Sequence, residues 1–73
     1  MTAVEVAFRY GNQPGPVEMR ALDSVREVYG IRRTLFNEQE RTIRVEYDAS
    51  RLNADVVAGL LRRAGLDLQE KLG

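Results

Sequence analysis

The sequence contains no cysteine and no histidine, and these two absences exclude more chemistry than any other feature of its composition. Without thiols the chain forms no disulfide and no zinc finger, and it offers no thiolate to Cu(I) or another soft metal. It also lacks every nucleophile–base pair that depends on a thiol or an imidazole. We therefore expect no metal site, no cofactor and no catalytic residue.

The chain also lacks an excess of charge of either sign, because 11 basic residues balance 11 acidic ones. This balance argues against a nucleic acid or a membrane surface as a partner recruited by bulk charge. The first 25 residues hold no long apolar run, so we expect no signal peptide, no membrane span and a cytoplasmic location. With 73 residues, we expect one domain over residues 1–73, too small for a deep enclosed active site.

The first half of the chain predicts a strand, a helix and a hairpin. Residues 3–10 alternate apolar and polar side chains, which is typical of a half-buried strand. Gly15 suits a helix N-cap and Pro16 the first helical position, and Gly30 suits the end of that helix. We place Val17, Ala21, Leu22, Val25, Val28 and Tyr29 on its apolar stripe. Residues 31–37 and 42–47 then form two strands joined by a polar turn, which is a hairpin.

The second half predicts one more helix and one more strand. Asn53 is a good N-cap, basic residues occupy the last turn, and Gly65 closes the helix. Leucines at 66, 68 and 72 flank polar residues in a short last strand. The order β-α-β-β-α-β and right-handed crossovers favour an α+β, ferredoxin-like sandwich, with a four-stranded antiparallel sheet and two helices on one face.

One apolar core follows from this arrangement. It comprises Val6, Phe8, Val25, Phe36, Val45, Val57, Leu60 and Leu61. If Phe36 lies inside it, replacing Phe36 with Ala should cost about 3–5 kcal/mol.

The other face of the sheet is open in this arrangement, and its outward residues are mixed in charge. They are Glu5, Arg9, Arg33, Leu35, Arg44, Glu46, Asp67 and Gln69. We interpret this face as solvated, since Leu35 is its only large apolar member. RNA-recognition modules stack bases on outward aromatic residues of the central strands, and none occurs at the corresponding positions here.

The spacing of the second half resembles the heavy-metal-associated domain family, which comprises small copper chaperones and the soluble N-terminal modules of metal-pumping ATPases. Residues 30–31 and 44–50, with the sequence RVEYDAS, resemble the family's "GV…VEYDPS" passage. Residues 53–57 and 63–67 resemble its "SPEDII…KAGYD" passage. The resemblance covers residues 3–69 and implies the same ferredoxin-like fold.

The family's metal-binding loop is where this sequence departs from the resemblance. The family carries Gly-Met-x-Cys-x-x-Cys, and counting back from Gly30 places that loop on residues 11–17. Gly11 is kept, but Pro14 and Val17 occupy the two cysteine positions and Asn12 the methionine position. The side chains of Pro14 and Val17 have no atom that can bind a metal. Met1 and Met19 are the only sulfur-containing residues, and two thioethers do not make a convincing Cu(I) site.

The resemblance implies a non-enzymatic domain that has lost its thiolate site and acts as a protein-interaction or regulatory module. Family members dock onto partner modules of the same fold, so we expect a protein partner of similar fold. The candidate interaction loop comprises Gly11, Asn12, Gln13 and Gly15, with Asn12 and Gln13 as its polar contacts.

Two alternatives remain open at this point. Acylphosphatases share the β-α-β-β-α-β order, and Gln13, Gly15, Val17 and Arg20 superficially resemble their phosphate loop. Pro14 and Pro16 argue against that enzyme, because proline has no N–H for an anion cradle. The other alternative is a small-molecule-regulated dimer of ferredoxin-like domains, which no residue in the sequence distinguishes. The oligomeric state is not determined by the sequence.

Overall fold

The computed structural model describes residues 2–72, and these residues form six elements in the order β-α-β-β-α-β. The strands are β1 (Ala3–Tyr10), β2 (Ile31–Asn37), β3 (Thr42–Asp48) and β4 (Leu68–Leu72), and the helices are α1 (Pro16–Val25) and α2 (Ala54–Arg63). The expected ferredoxin-like α+β class is confirmed. No helix among the described residues is long and apolar enough to cross a membrane.

The sheet has the strand order β2-β3-β1-β4, and all neighbouring strands are antiparallel. The central pair β1 and β3 sets Val6 opposite Val45 and Phe8 opposite Ile43. Strands β2 and β4 are the two edges. Inward side chains of the central strands share one buried cluster with residues from α1 and α2, so both helices cover the same face of the sheet.

Six of the eight predicted core residues are buried, namely Val6, Phe8, Val25, Val45, Val57 and Leu61. Phe36 and Leu60 are only partly buried and pack against that cluster from its margin. Phe36 lies on the edge strand β2, where one neighbour is missing, and this explains its partial exposure. The cluster also contains six buried residues outside the predicted core: Tyr10, Leu22, Ile43, Tyr47, Ala58 and Leu66.

Helix α1 differs from the prediction in its length and in its buried face. It ends at Val25, and residues 26–28 continue in tighter i→i−3 turns before Gly30 adopts a positive φ of 104°. The predicted apolar stripe is wrong at both ends, because Val17 and Tyr29 are each 72% exposed. Leu22 and Val25 are the buried residues of the helix, and they lie three positions apart on one helical face.

Helix α2 follows the prediction at both ends. The Asn53 side chain accepts a hydrogen bond of 2.9 Å from the Val56 N–H, which satisfies one of the free amides at the helix start. Arg62 and Arg63 lie in the last turn, where the helix dipole favours positive charge. Gly65 then adopts a φ of 102°, a left-handed conformation that favours glycine.

Strand β4 contains an irregularity that changes which leucine faces the core. Tyr10 pairs with Leu68 but Arg9 pairs with Glu70, so Gln69 is an extra residue in β4. Beyond it, Leu72 pairs with the outward residue Ala7 and lines a shallow concavity on the open face. The sequence predicted Leu35 as the only large apolar residue on that face. This prediction is wrong, because Leu72 lies there as well.

The open face is otherwise polar, as expected. Glu5 and Glu46 are cross-strand neighbours, and Arg44 relieves their repulsion by pairing with Glu5 at 3.1 Å. Arg9 forms a second ion pair with Glu70 across β1 and β4. Both pairs are solvent-exposed, so each contributes little to stability.

We predict that alanine substitutions at two neighbouring positions of β2 change the free energy of unfolding by very different amounts. Phe36 packs against the core, so Phe36→Ala should lower the free energy of unfolding by about 2 kcal/mol, below the value for a fully buried phenylalanine. Leu35 is 45% exposed on the other face, so Leu35→Ala should change it by less than about 0.5 kcal/mol. Urea unfolding of both variants checks this, and equal losses would contradict the strand register.

Candidate functional site

The candidate interaction loop connects the end of β1 to the start of α1, at the end of the sheet where the β2–β3 turn also lies. The Gly11 N–H donates to the Asp67 carbonyl at 2.8 Å. The Arg41 guanidinium donates to the Gly11 carbonyl at 3.0 Å. Gly11 is thus held from two sides, by the segment that leads into β4 and by the β2–β3 turn.

Asn12 and Gln13, the two polar residues of the loop, are exposed. The Asn12 N–H faces the Asp67 carboxylate at 3.3 Å, and the Asn12 residue lies at the surface. The Gln13 side-chain amide reaches the Glu38 carbonyl at 3.4 Å. Gln13 therefore spans from the loop to the β2–β3 turn, and the structure brings the loop and that turn together.

The second half of the loop builds the start of α1. Gly15 is the N-cap in an extended conformation, and its N–H donates to the Glu18 carboxylate at 3.0 Å. Glu18 in turn lies over Gly65, where an added Cβ would come within 2.8 Å of Glu18 Cγ. The Glu18 side chain therefore lies close to the residue that follows the end of α2, a proximity that the sequence pattern did not indicate.

Pro14 and Val17, which the resemblance aligns with the family's two cysteines, have no side-chain donor atom. Pro14 is half-buried at the inner side of the loop, and Val17 projects into solvent from the first turn of α1. Met19 is 38% exposed nearby, while Met1 lies outside the described residues. Among residues 2–72, no three His, Cys, Asp or Glu side chains converge as metal ligands would.

The electrostatics of the loop disfavour an anion. An anion cradle needs free backbone N–H groups, and those of Asn12 and Gly15 already face the carboxylates of Asp67 and Glu18. Pro14 and Pro16 have no N–H to offer. Asn12, Pro14, Gly15 and Pro16 therefore offer an anion no free N–H, which argues against the acylphosphatase-like alternative.

A small pocket that no sequence pattern indicated opens beside the loop. Its volume is about 130 Å³, and it is lined by Tyr10, Gln13, Pro14, Met19, Phe36 and Glu38. Tyr10 is 1% exposed, and its hydroxyl oxygen is buried without a hydrogen-bond partner. Burial raises the pKa of the Tyr10 phenol, with a further contribution from the Glu38 carboxylate that the Arg41 guanidinium opposes. The one feature of the sequence that could have indicated this pocket is Tyr10, an inward-facing tyrosine at the end of a predicted strand.

The Asp48–Ser50 turn, which belongs to one of the passages that resemble the family, lies at the opposite end of the sheet and serves the fold. The Asp48 carboxylate accepts hydrogen bonds from the Ser50 hydroxyl at 2.7 Å and the Ser50 N–H at 3.0 Å, and both bonds lower the pKa of Asp48. The Asp48 N–H donates to the Gly30 carbonyl at 2.7 Å. This turn connects β3 to α2 and contributes nothing to the loop at residues 11–17.

Comparison with protein-family models, with curated proteins and with solved structures finds no match to this chain.

We predict that Tyr10→Phe stabilises the protein. The substitution removes a buried hydroxyl without a partner, so the free energy of unfolding at neutral pH should rise by about 1 kcal/mol. In the unfolded chain the phenol ionises near its ordinary pKa of 10.0, whereas in the folded chain it stays protonated to higher pH. Stability is therefore lost as the pH rises above about 10, and Tyr10→Phe should reduce that loss.

Urea unfolding of the parent and Tyr10→Phe proteins at neutral and alkaline pH measures both effects. Tyr29→Phe is the matched control, because Tyr29 is 72% exposed and its hydroxyl is not buried. A loss of stability in Tyr10→Phe at neutral pH would show that its hydroxyl has a partner in solution.

Proposed function

We propose that the chain is a small, non-enzymatic, cytoplasmic module related to the heavy-metal-associated domains, in which the thiolate site has been lost and protein docking retained. The partner in this proposal is another domain of the same fold. The observation that carries it is the surface formed by the loop at residues 11–15 and the first turn of α1, which we call the loop surface.

The loop surface combines an ordered backbone with exposed apolar side chains. Gly11, Gln13 and Gly15 are each held by a hydrogen bond to a neighbouring segment, so little conformational entropy remains to be lost on binding. Val17 is 72% exposed and Met19 38% exposed on the adjoining helical turn. Asn12 and Gln13 supply a polar rim beside these apolar groups, an arrangement that protein interfaces share.

The location of the loop surface also supports docking. In the family that the sequence resembles, the metal loop is the part that meets the partner module, and residues 11–17 occupy the same connection between β1 and α1. Replacing the ligands by Pro14 and Val17 removes thiolates but leaves an apolar turn at that end of the molecule. Docking between two such domains does not require the metal itself.

A small-molecule-regulated dimer of two copies of this chain is the alternative to the docking proposal. Strands β2 and β4 are both edges, and an edge strand is open to pairing with a second copy. Sedimentation of the isolated chain over a range of concentrations separates the alternatives. A monomer favours docking to another protein through the loop surface, whereas a dimer favours pairing through an edge strand.

We predict that Val17→Glu abolishes docking without unfolding the protein. The test is an amide-resolved NMR titration of the labelled chain with the heavy-metal-associated domains encoded in the same genome, each produced separately. A true partner should shift the amides of residues 11–17, and Val17→Glu should remove that shift by placing a charge in the apolar contact. Val56→Glu is the matched control, because Val56 is also exposed, at 44%, on the other helix.

The docking proposal fails if no such domain shifts these amides, or if Val56→Glu weakens binding as much as Val17→Glu. Circular dichroism and thermal unfolding of both variants confirm that each still folds. A shift confined to the outward residues of β2 would instead assign the interface to the sheet edge.

We also predict that two substitutions install a metal site in the loop. If residues 11–17 occupy the family's metal loop, Pro14→Cys together with Val17→Cys recreates its two thiolates at the family's spacing. The double variant should then bind one equivalent of Zn(II) or Cu(I), whereas neither ion should shift the loop amides of the parent chain. The serine pair at the same positions is the control, and equal binding by both pairs, or none by the cysteine pair, contradicts the alignment of the loop.

A further inference from the structure

The hydrogen-bond pattern of the sheet shows which backbone groups of the edge strand β2 face the open side. The Tyr10 N–H donates to the Arg41 carbonyl, so the odd-numbered residues of β3 bond to β1, because bonding alternates along an antiparallel strand. The even-numbered residues of β3 therefore bond to β2, and the odd-numbered residues of β2 lie opposite them. The backbone N–H and C=O groups of Thr34 and Phe36 consequently point to the open edge.

The side chains of β2 on the open face of the sheet have an apolar centre between polar ends. Leu35 is 45% exposed and lies between Arg33 and Asn37 on that face. Arg32 and Arg33 place positive charge at the start of the strand, and Glu38 follows its last residue. Opposite charges at the two ends favour an antiparallel neighbour of the same sequence, because each basic end then lies beside an acidic end.

One antiparallel register pairs the open groups of both residues within the regular part of the strand. It sets Leu35 opposite Leu35 of the second copy, and Thr34 opposite Phe36. Thr34 and Phe36 then exchange N–H···O=C bonds in both directions, on each side of a two-fold axis. Sliding the second copy by two residues brings in either Arg32, the extra residue of a strand irregularity, or Glu38, which lies beyond the strand.

The other edge strand, β4, is less suited to such pairing. It is five residues long, and its pairing with β1 is interrupted at Gln69. A bulge of this kind twists an edge strand and disrupts the regular spacing of its backbone groups. Strand β2 is regular from Arg33 to Asn37 and is therefore the better template for a neighbouring strand.

We propose that β2 pairs antiparallel with β2 of a second copy of this chain, in the register that sets Leu35 against Leu35 on a two-fold axis. The two sheets continue into one, and the exposed Leu35 side chains cover each other. The inference goes beyond the proposed docking function and does not depend on it, because none of residues 11–17 belongs to β2.

The absence of cysteine allows disulfide cross-linking to measure this register directly. In the proposed register the two copies of residue 35 form a non-hydrogen-bonded pair with Cα atoms about 4.5 Å apart, a separation that a disulfide spans. Under a mild oxidant such as diamide, Leu35→Cys should therefore form a covalent dimer. Val56→Cys is the matched control, because Val56 is 44% exposed on α2. It should cross-link about tenfold more slowly, through random collision alone.

Two further variants distinguish this register from others on the same strand. Asn37→Cys alone should cross-link no faster than Val56→Cys, because residue 37 lies opposite Arg33 of the second copy. A mixture of Asn37→Cys and Arg33→Cys should form the mixed dimer nearly as fast as Leu35→Cys forms its own.

Leu35→Lys tests the same contact without covalent chemistry. In the parent chain the amides of residues 34 and 36 should shift as the protein concentration rises, because their N–H groups enter hydrogen bonds. Leu35→Lys places two ammonium groups opposite each other and should hold these amides at their dilute positions at every concentration. Val56→Lys is the matched control and should shift as the parent chain does. Thermal unfolding confirms that both variants fold.

The inference is wrong if Leu35→Cys cross-links no faster than Val56→Cys. It is also wrong if Asn37→Cys alone cross-links as fast as its mixture with Arg33→Cys, which would indicate another register. Concentration-dependent shifts at residues 68–72 in place of 34 and 36 would assign the contact to β4. These readouts use no added ligand, no protein partner and no residue of the loop surface. Their failure is therefore distinguishable from failure of the docking proposal.

Discussion

The pairing of β1 with β3 is the interaction on which the rest of the structure depends. These strands form the middle of the sheet, and their inward residues, such as Val6, Phe8 and Val45, are almost completely buried. Both helices pack on that one surface, and both edge strands add to it. Residues 2–72 contain one hydrophobic core, and a domain of this size buries only about 60% of the surface that its unfolded chain exposes, so little else can compensate for a loss there.

The end of β1 links this core to the candidate site. Tyr10 is the last inward residue of the strand, and its N–H donates to the Arg41 carbonyl at 2.8 Å. The next residue, Gly11, is bonded to the segment before β4 and to the Arg41 side chain. The loop therefore starts from a fixed point, and its ordered backbone supports both the proposed docking surface and the pocket beneath it.

The segments of the chain that predict the fold are different from the segment that forms the candidate site. The segments that resemble the metal-binding family form caps and turns, such as the Asp48–Ser50 turn and the Asn53 cap, which any domain with this connectivity requires. Those segments predict the architecture. The seven residues of the loop decide the chemistry, and Pro14 and Val17 there have no side-chain donor atom. A resemblance carried by caps and turns is accordingly stronger support for the fold than for the function.

The sequence by itself determined the order and bounds of most elements, because strand alternation, the Asn53 cap and the turn glycines are local signals with direct physical causes. It also determined what chemistry is absent, through the missing thiols and imidazoles. Only the tertiary structure decided the early end of α1, the turn of Leu72 to the open face, and the meeting of Tyr10, Phe36 and Glu38 at one pocket. These depend on a strand irregularity and on packing between segments far apart in the chain, which no local pattern encodes.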